Sequence, residues 1–216
     1  ELRAAEKVAY EKLVPKFQSD SVPINPFRVA YELNEFLTDD TIYIGDGGDV
    51  VTISAQAVQP HQPGHWMDPG PLGTLGVGVP FAMAVKYAHP EKEVLCYFGD
   101  GEFTLNGWDL ETCQRFKLPI LGVIGNNSAM NQIRCGQINK YGAERGNVGN
   151  LLGDVDFEKF AELLGGHGEV VREPKEIRPA LDRARAAVRG GTSALVNIWV
   201  DREEWAPGTR NQTMYK

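Results

Sequence analysis

The chain has 216 residues, of which 42% are hydrophobic and 24% are charged, as expected for one sizeable folded α/β domain. Its net charge of −7, without a basic stripe, argues against nucleic-acid binding. No apolar stretch approaches the roughly 20 residues of a membrane span, and no signal-peptide pattern is evident at the start. The three scattered cysteines, Cys96, Cys113 and Cys135, favour a reduced, cytoplasmic setting over a disulfide framework.

The first part of the chain predicts a charged helix and then the start of an α/β domain. We expect residues 1–20 to be a linker helix or the end of a domain that is missing here. Asn25 before Pro26 is typical of a helix start, because asparagine caps a helix and proline fits its first turn. The apolar run 41–44 predicts a buried strand. The further predicted helices span 50–58, 75–88, 103–116, 128–140, 157–164 and 174–188, and the further strands span 94–98, 120–124, 169–171 and 194–200.

A long loop rich in proline and glycine separates the predicted helix 50–58 from the predicted helix 75–88. It covers residues 59–72, and loops of this length in compact domains are usually functional. His65 and Trp66 lie within it. We expect these two side chains to be candidates for closing over a site.

The order of the elements predicts the fold class. Five strands alternate with helices, which favours a parallel sheet with helices on both faces. In such sheets ligands bind outside the carboxyl ends of the strands. The loops 46–49, 99–102 and 126–129 fall at these ends. The candidate site is therefore expected where these three loops meet.

Two short sequences at these ends carry the strongest chemical signal. Gly99-Asp100-Gly101 follows one apolar run, and Asn126-Asn127 follows the next run 27 residues later. Side-chain oxygens of Asp and Asn suit a hard cation such as Mg²⁺ or Ca²⁺, which takes further ligands from phosphate and water. Glycines and a helix amino end admit a phosphate closely. The pair predicts a metal–diphosphate clamp, the alternative being two unrelated turns of a doubly wound sheet.

These sequences resemble a known family. The GDG and NN pair is similar to the thiamine diphosphate motif, and Gly73–Pro80 resembles the segment that holds the aminopyrimidine of that cofactor. The resemblance covers nearly the whole chain. It is closest to the carboxyl-terminal, diphosphate-binding domain of acetolactate synthase-like enzymes, which include oxalyl-CoA decarboxylase and the 2-hydroxyacyl-CoA lyases. The implied cofactors are thiamine diphosphate and Mg²⁺.

The clamp residues have individual expected roles. Asp100 is the candidate anionic metal ligand, although an aspartate there could instead cap the following helix. Asn127 would add a neutral oxygen, and the resemblance implies the backbone carbonyl of Ala129 as a third protein ligand. Two diphosphate oxygens and a water would complete six ligands. Backbone N–H groups of Gly101 and Glu102 lie where they could meet phosphate.

The resemblance implies further contacts at the two ends of the cofactor. Leu75 would prop the thiazolium against the aminopyrimidine, and the Gly73 carbonyl would accept a hydrogen bond from the amino group; these two are the catalytic candidates. Asp49 either touches the diphosphate end or caps the helix after it. The complete set of expected cofactor contacts is Asp49, Gly73, Leu75, Gly99, Asp100, Gly101, Glu102, Asn127, Ala129 and Met130.

The substrate is less defined by the sequence than the cofactor. The family usually has glycine after the asparagine pair, and this chain has Ser128. Where the coenzyme A enzymes carry a tyrosine, this chain has Asn131, which leaves a 2-hydroxyacyl-CoA or a 2-oxo acid open. Met130, Asn131 and Gln132 either face the substrate or form one exposed helix face.

The resemblance also implies that this chain is not catalytically complete. In the family a glutamate from a pyrimidine-binding domain activates the cofactor, and no matching segment is found here. We expect the chain to be a subunit of a split enzyme or the final domain of a longer one, within a homo- or hetero-oligomer. The cofactor-binding domain is placed at 21–200 and a tail at 201–216. The tail is a candidate lid or is solvated, and its candidate contacts are Arg202, Trp205 and Arg210.

Two other functions are considered. A dinucleotide-dependent oxidoreductase would use Gly73–Gly78 as its phosphate loop, but the chain lacks GxGxxG between a first strand and a helix, and the acidic residue about 20 positions on is not clear. A non-catalytic, regulatory cofactor-binding subunit would keep the same motifs without activity.

Overall fold

The computed structural model describes residues 2–206. Six strands form one sheet, and ten α-helices surround it in the described residues. The strands are β1 (Thr41–Asp46), β2 (Trp66–Met67), β3 (Glu93–Gly99), β4 (Leu121–Asn126), β5 (His167–Val171) and β6 (Ala194–Trp199). The helices are α1 (Leu2–Phe17), α2 (Pro26–Phe36), α3 (Asp49–Ala57), α4 (Gly78–Ala88), α5 (Asp100–Asn106), α6 (Asp109–Arg115), α7 (Asn131–Tyr141), α8 (Ala143–Gly146), α9 (Phe157–Leu163) and α10 (Ile177–Arg189).

The sheet has the order β2-β1-β3-β4-β6-β5, and every pairing is parallel. The predicted α/β class is therefore confirmed. The order places the carboxyl ends of β1, β3 and β4 side by side in the middle of the sheet. The loops that carry the sequence motifs leave from these three ends.

Alternate residues of the strands pack on opposite faces of the sheet, which is why both faces are covered. On β1, Tyr43 lies in the core under α2 and α10, whereas Ile42 and Ile44 lie in the core under α4, α6 and α9. The central strands are buried along almost their whole length. This packing requires the nearly continuous apolar runs from which the strands were predicted.

Strand β2, which the sequence does not predict, lies inside the segment 59–72, for which the sequence predicts a loop. Trp66 pairs with Tyr43 in the middle of β1, and their rings stack with centroids 5.0 Å apart. The indole N–H donates to Asp68 at 2.8 Å, and His65 is buried. The prediction that His65 and Trp66 close over the site is wrong, since Trp66 packs on the middle of β1 and the His65 carbonyl accepts the N–H of Tyr43 at 2.9 Å.

Two predicted helices have different bounds. The helix expected at 75–88 begins only at Gly78, and residues 73–77 form an irregular loop. The helix expected at 103–116 is two short helices, α5 and α6, that meet at Gly107. A Cβ at Gly107 would lie 2.7 Å from the Phe103 ring, so a glycine is needed where the chain turns. The amphipathic pattern could not show this break, because both helices pack on the same face.

Both ends of the described chain pack against the domain. Phe17 of α1 stacks on Tyr31 with centroids 5.7 Å apart. Residues 201–206 return beside it: the Asp201 N–H donates to the Ile24 carbonyl at 2.9 Å, and Ala206 is buried in the same cluster. The predicted tail is thus anchored at its start rather than solvated there. Residues 207–216, and with them Arg210, lie outside the described residues.

Within residues 2–206, no helix is both long enough and apolar enough to cross a membrane. All three cysteines are free and buried.

Arg185 and Glu93 form a bidentate ion pair that joins α10 to β3, with each side chain only 11% exposed. We expect Arg185→Met to lower the free energy of unfolding by about 2 kcal/mol, because Glu93 would stay buried without its main partner. Denaturant titration measures this change. The control is Arg115→Met, which breaks the exposed pair with Glu111 and should lower the free energy of unfolding far less. An equal loss of stability in both variants would contradict the role of Arg185 as the partner of a buried Glu93.

Candidate cofactor site

Four loops enclose a cavity of about 150 Å³ at the carboxyl end of the sheet. Three of them follow β1, β3 and β4, and the fourth is the irregular loop before α4. Gly99 at the end of β3 lies directly opposite Gly125 of β4, so the two clamp sequences leave the sheet side by side. The cavity is lined by Gly48, Asp49, Val50, Gly73, Leu75, Gly99, Asp100, Glu102, Gly125, Asn127, Ala129, Met130, Asn131, Gln132 and Ile133.

Asp100 connects the two clamp loops. Its Oδ1 accepts the N–H of Gly101 at 2.9 Å, and its Oδ2 accepts the N–H of Ala129 at 3.2 Å. The side chain is 3% exposed. Burial raises the pKa of this carboxyl to about 6, although backbone N–H groups of both loops oppose the rise. A buried carboxylate held between two loops therefore faces the cavity, and no cationic side chain of residues 2–206 pairs with it.

The two asparagines that follow β4 have different roles. Asn126 is buried, and its amide donates to Asn197 on β6 at 3.2 Å and to the Val155 carbonyl at 3.0 Å. It holds the strand end in place. Asn127 lines the cavity, and its buried Oδ1 accepts no hydrogen bond in the part of the chain that the structure describes. Buried polar atoms are almost always paired, so this free oxygen indicates a missing partner.

The donor set fits a hard divalent cation that is also bound by a phosphate. One carboxylate and one free amide oxygen lie at the cavity wall, with the backbone of Ala129 between them. Residues 2–206 contain no group of three or more His, Cys, Asp or Glu side chains that could hold a metal by themselves. Mg²⁺ commonly takes only one or two carboxylates and completes its shell with phosphate and water. The residues present therefore fit a metal–diphosphate group.

Glu102 lines the cavity, and its side chain takes part in the site. The sequence analysis predicts a role only for its backbone N–H. The carboxylate folds back over Gly99, where a Cβ would come 2.0 Å from Oε2, and it also covers Gly47. Burial, together with Asp100 and Asp46, raises the pKa of Glu102 to about 7. Only a glycine at position 99 leaves room for this arrangement. The cavity thus holds more acidic groups than the sequence predicted.

Gly101 lies behind the cavity wall rather than in it. A Cβ at Gly101 would meet the Met130 sulfur at 2.1 Å, so the methionine side chain covers this glycine. Met130 itself lines the cavity. Of these two expected cofactor contacts, Met130 therefore lies at the cavity surface and Gly101 lies beneath Met130.

The loop with Gly73 and Leu75 is held by a residue that the sequence analysis did not include among the site residues. Asp46, at the end of β1, accepts the N–H of Gly76 at 3.0 Å and that of Gly78 at 2.8 Å. This carboxyl is 1% exposed. Its position at the end of a buried strand, in Gly-Asp-Gly-Gly-Asp, was the signal that could have identified it. Gly73 and Leu75 both face the cavity.

Asp49 begins α3 and is held by a residue expected to face substrate. Its Oδ2 accepts from the Asn131 amide at 3.1 Å, and burial raises its pKa to about 6. The Asn131 amide also donates to the Arg202 carbonyl at 3.0 Å, and its oxygen accepts from Arg134 at 3.2 Å. Asn131 is 5% exposed, so the alternative of an exposed helix face is wrong at this position. Beside it, Gln132 packs on Gly48.

The first residues of the predicted tail contact this network. Glu203 pairs with Arg134 at 3.0 Å, and Arg202 contributes its backbone carbonyl. The start of the tail therefore lies at the rim of the cavity on the α7 side. Whether the rest forms a lid stays a prediction, since it falls on residues 207–216.

Ser128 occupies the backbone conformation that glycine favours, with φ of +54°. Its hydroxyl donates to Asp154 at 2.6 Å, and the residue is buried. This hydrogen bond offsets the strain of a non-glycine residue at that place. The departure from the usual glycine thus keeps the turn between Asn127 and Ala129 intact.

The fold and the site together define a candidate diphosphate-binding domain of α/β type. The family model "Thiamine pyrophosphate enzyme, C-terminal TPP binding domain" matches residues 46–198 of the chain. The chain belongs to this family of thiamine diphosphate-dependent enzymes. This finding confirms the resemblance inferred from the two motifs and replaces the dinucleotide-binding alternative.

Relatives with two different names share this domain. A probable acetolactate synthase of Mycobacterium bovis is 35% identical over 201 residues, which cover 93% of this chain and 36% of that protein. The 2-hydroxyacyl-CoA lyase 2 of Homo sapiens is 36% identical over 188 residues, which cover 86% of this chain and 29% of that protein. The Caenorhabditis elegans protein of the same name is 35% identical over 189 residues. The chain spans about a third of the length of these relatives.

Ionisation of the buried Asp100 carboxyl should lower the free energy of unfolding of the metal-free protein as the pH rises. Its raised pKa means that the folded state keeps a proton between about pH 4 and pH 6 that the unfolded state has lost. The free energy of unfolding therefore falls as the pH rises through this range. We expect Asp100→Asn to raise that free energy by about 1 kcal/mol at pH 8, since the amide carries no buried charge but accepts fewer hydrogen bonds.

Denaturant titrations at pH 5 and pH 8 without metal test this expectation. The control is Glu144→Gln, an exposed site that should leave stability unchanged at both pH values. A variant Asp100→Asn that is less stable than the parent protein at pH 8 would contradict the assignment of a buried, uncompensated carboxylate.

Proposed function

We propose that this chain supplies the diphosphate- and metal-binding half of a thiamine diphosphate- and Mg²⁺-dependent enzyme that makes or breaks a carbon–carbon bond. The observation that carries the proposal is that the Asp100 carboxylate, held by the Ala129 N–H, and Asn127, whose buried side-chain oxygen is free, line the same cavity. The family match supports the cofactor, and the donor set supports the metal.

The metal would be held by three groups of this chain. Asp100 supplies the single negative charge, and the Asn127 side chain and the Ala129 carbonyl supply neutral oxygens. One charged and two neutral ligands leave half of the Mg²⁺ charge available for the diphosphate. Backbone contacts from Gly99 and Glu102 would orient the phosphates, with Asp49 and Met130 at the edges of the same cavity and Gly101 supporting the wall beneath Met130.

The acidic lining of the cavity explains why binding should depend on metal. Asp49, Asp100 and Glu102 all have raised pKa values, because burial disfavours their charged forms. A diphosphate brought beside these groups would be repelled. A divalent cation between them reverses the sign of the interaction. The chain's own residues therefore favour a metal–diphosphate complex over a free diphosphate.

The other end of the cavity would position the rings of the cofactor. Thiamine diphosphate, when bound, supplies a carbon nucleophile and an electron sink for the bond that changes. The Gly73 carbonyl would accept a hydrogen bond from the aminopyrimidine, and the branched Leu75 side chain would prop the thiazolium against the aminopyrimidine. Gly73 has φ of +60°, a conformation that glycine adopts at little cost.

The rest of the enzyme would come from outside this chain. We propose a pyrimidine-binding domain or subunit that supplies the activating glutamate, in a homo- or hetero-oligomer. Residues 1–20 would lead from a preceding domain, 21–200 would form the cofactor domain and 201–216 would close on it.

The relatives' names include both acetolactate synthase and 2-hydroxyacyl-CoA lyase, so the proposed substrates are a 2-oxo acid or a 2-hydroxyacyl-CoA. The free cysteines support a reduced, cytoplasmic setting.

Isothermal titration of the purified protein with thiamine diphosphate tests the cofactor site. We expect binding only in the presence of Mg²⁺, and Asn127→Ala should weaken it at least about tenfold, because one metal ligand is lost. Asn34→Ala removes an amide on α2, outside the residues that line the cavity, and serves as the control. Metal-independent binding, or the same affinity in Asn127→Ala, would reject the proposed clamp.

Activity separates an enzyme from a regulatory subunit. With a pyrimidine-binding partner and Mg²⁺, we expect the wild-type chain to restore turnover of a 2-oxo acid or 2-hydroxyacyl-CoA. Leu75→Ala should lower turnover more than cofactor affinity, since it changes ring geometry rather than the diphosphate contacts. Cofactor binding without any turnover would favour the regulatory alternative.

A further inference from the structure

Helix α5 spans the distance between the two ends of the cofactor site. It begins at Asp100, whose carboxylate contacts the loop after β4, and it ends at Asn106. The Asn106 side-chain amide donates to the backbone carbonyl of Gly76 at 2.8 Å. Gly76 directly follows Leu75. One helix of seven residues thus contacts the metal end with its first residue and the ring end with its last.

Gly76 is shaped for this contact. Its φ of +82° lies in the left-handed region that side chains disfavour. A Cβ there would come 2.9 Å from the Cβ of Leu105 and 3.2 Å from the Asn106 amide nitrogen. Any larger residue would therefore push the loop away from the last turn of α5. The close approach of loop and helix depends on glycine at this position.

The same loop is held from its other side by β1. Asp46 accepts the N–H groups of Gly76 and Gly78, on either side of Val77. Gly76 therefore has its N–H fixed by the strand and its carbonyl fixed by the helix. The position of Leu75 follows from these two contacts, because its immediate neighbour cannot move without breaking one of them.

We propose that Asn106 is a positioning residue that couples the metal end of the site to the ring end through α5. The inference rests on the proposed function. Ordering of the Asp100 end by Mg²⁺ and diphosphate fixes the start of α5, and the Asn106–Gly76 hydrogen bond transfers that order to Leu75. If metal and diphosphate bound at Asp100 strengthen the binding of the cofactor ring at Leu75 by some factor, then by linkage a ring bound at Leu75 strengthens metal binding at Asp100 by the same factor.

Two ligands distinguish this role from a general structural one. Inorganic pyrophosphate with Mg²⁺ engages only the metal end, whereas thiamine diphosphate with Mg²⁺ engages both ends. Asn106→Leu keeps the size of the side chain and removes its donor, and the position is exposed, so folding should tolerate the change. We expect about a tenfold loss of affinity for thiamine diphosphate and less than a twofold loss for pyrophosphate.

Isothermal titration of the purified protein measures both affinities, with Asn34→Leu as the control that should change neither. Hydrogen exchange of the unliganded protein gives a second readout: the Gly76 and Gly78 amides should exchange faster in Asn106→Leu. Equal losses for both ligands, or unchanged affinity for thiamine diphosphate, would overturn the proposal. If the wild-type chain binds neither ligand even with a pyrimidine-binding partner present, the proposed function itself fails, and this inference fails with it.

Discussion

The site depends on one buried carboxylate, that of Asp100, which contacts the segments that follow β3 and β4. Asp100 accepts N–H groups from its own helix start and from Ala129 across the sheet, and burial raises its pKa. Such a charge is unfavourable unless a cation compensates it. Everything nearby is consistent with that compensation coming from a ligand: the free oxygen of Asn127, the glycine at the strand end and the acidic neighbours that repel a bare diphosphate.

The fold contributes the positions rather than the chemistry. Parallel pairing places the ends of β1, β3 and β4 in one row, so residues far apart in the chain meet at one edge. Each strand end carries one residue that supports the structure and others that face the cavity. Asp46 holds the ring loop and Asn126 fixes the end of β4. Asp100 combines both roles, because it joins the loops and faces the cavity.

The sequence was most informative where a motif follows a buried strand. The apolar run before Gly99 and the alternation of strands and helices predicted the parallel sheet and the approach of Asp100 to Asn127. Tertiary contacts without a local pattern could not be predicted. Trp66 in the edge strand stacks on Tyr43, and Asn131 is buried where Asp49 and the start of the tail meet its amide.

A crystal structure of the protein with thiamine diphosphate and Mn²⁺ in place of Mg²⁺ is the most direct test of the proposed site, because anomalous scattering locates the manganese. We expect one manganese ion within about 2.3 Å of an Asp100 carboxylate oxygen, the Asn127 Oδ1 and the Ala129 carbonyl, bridging to the diphosphate. A cofactor bound elsewhere, or a metal that contacts neither the Asp100 nor the Asn127 side chain, would contradict it.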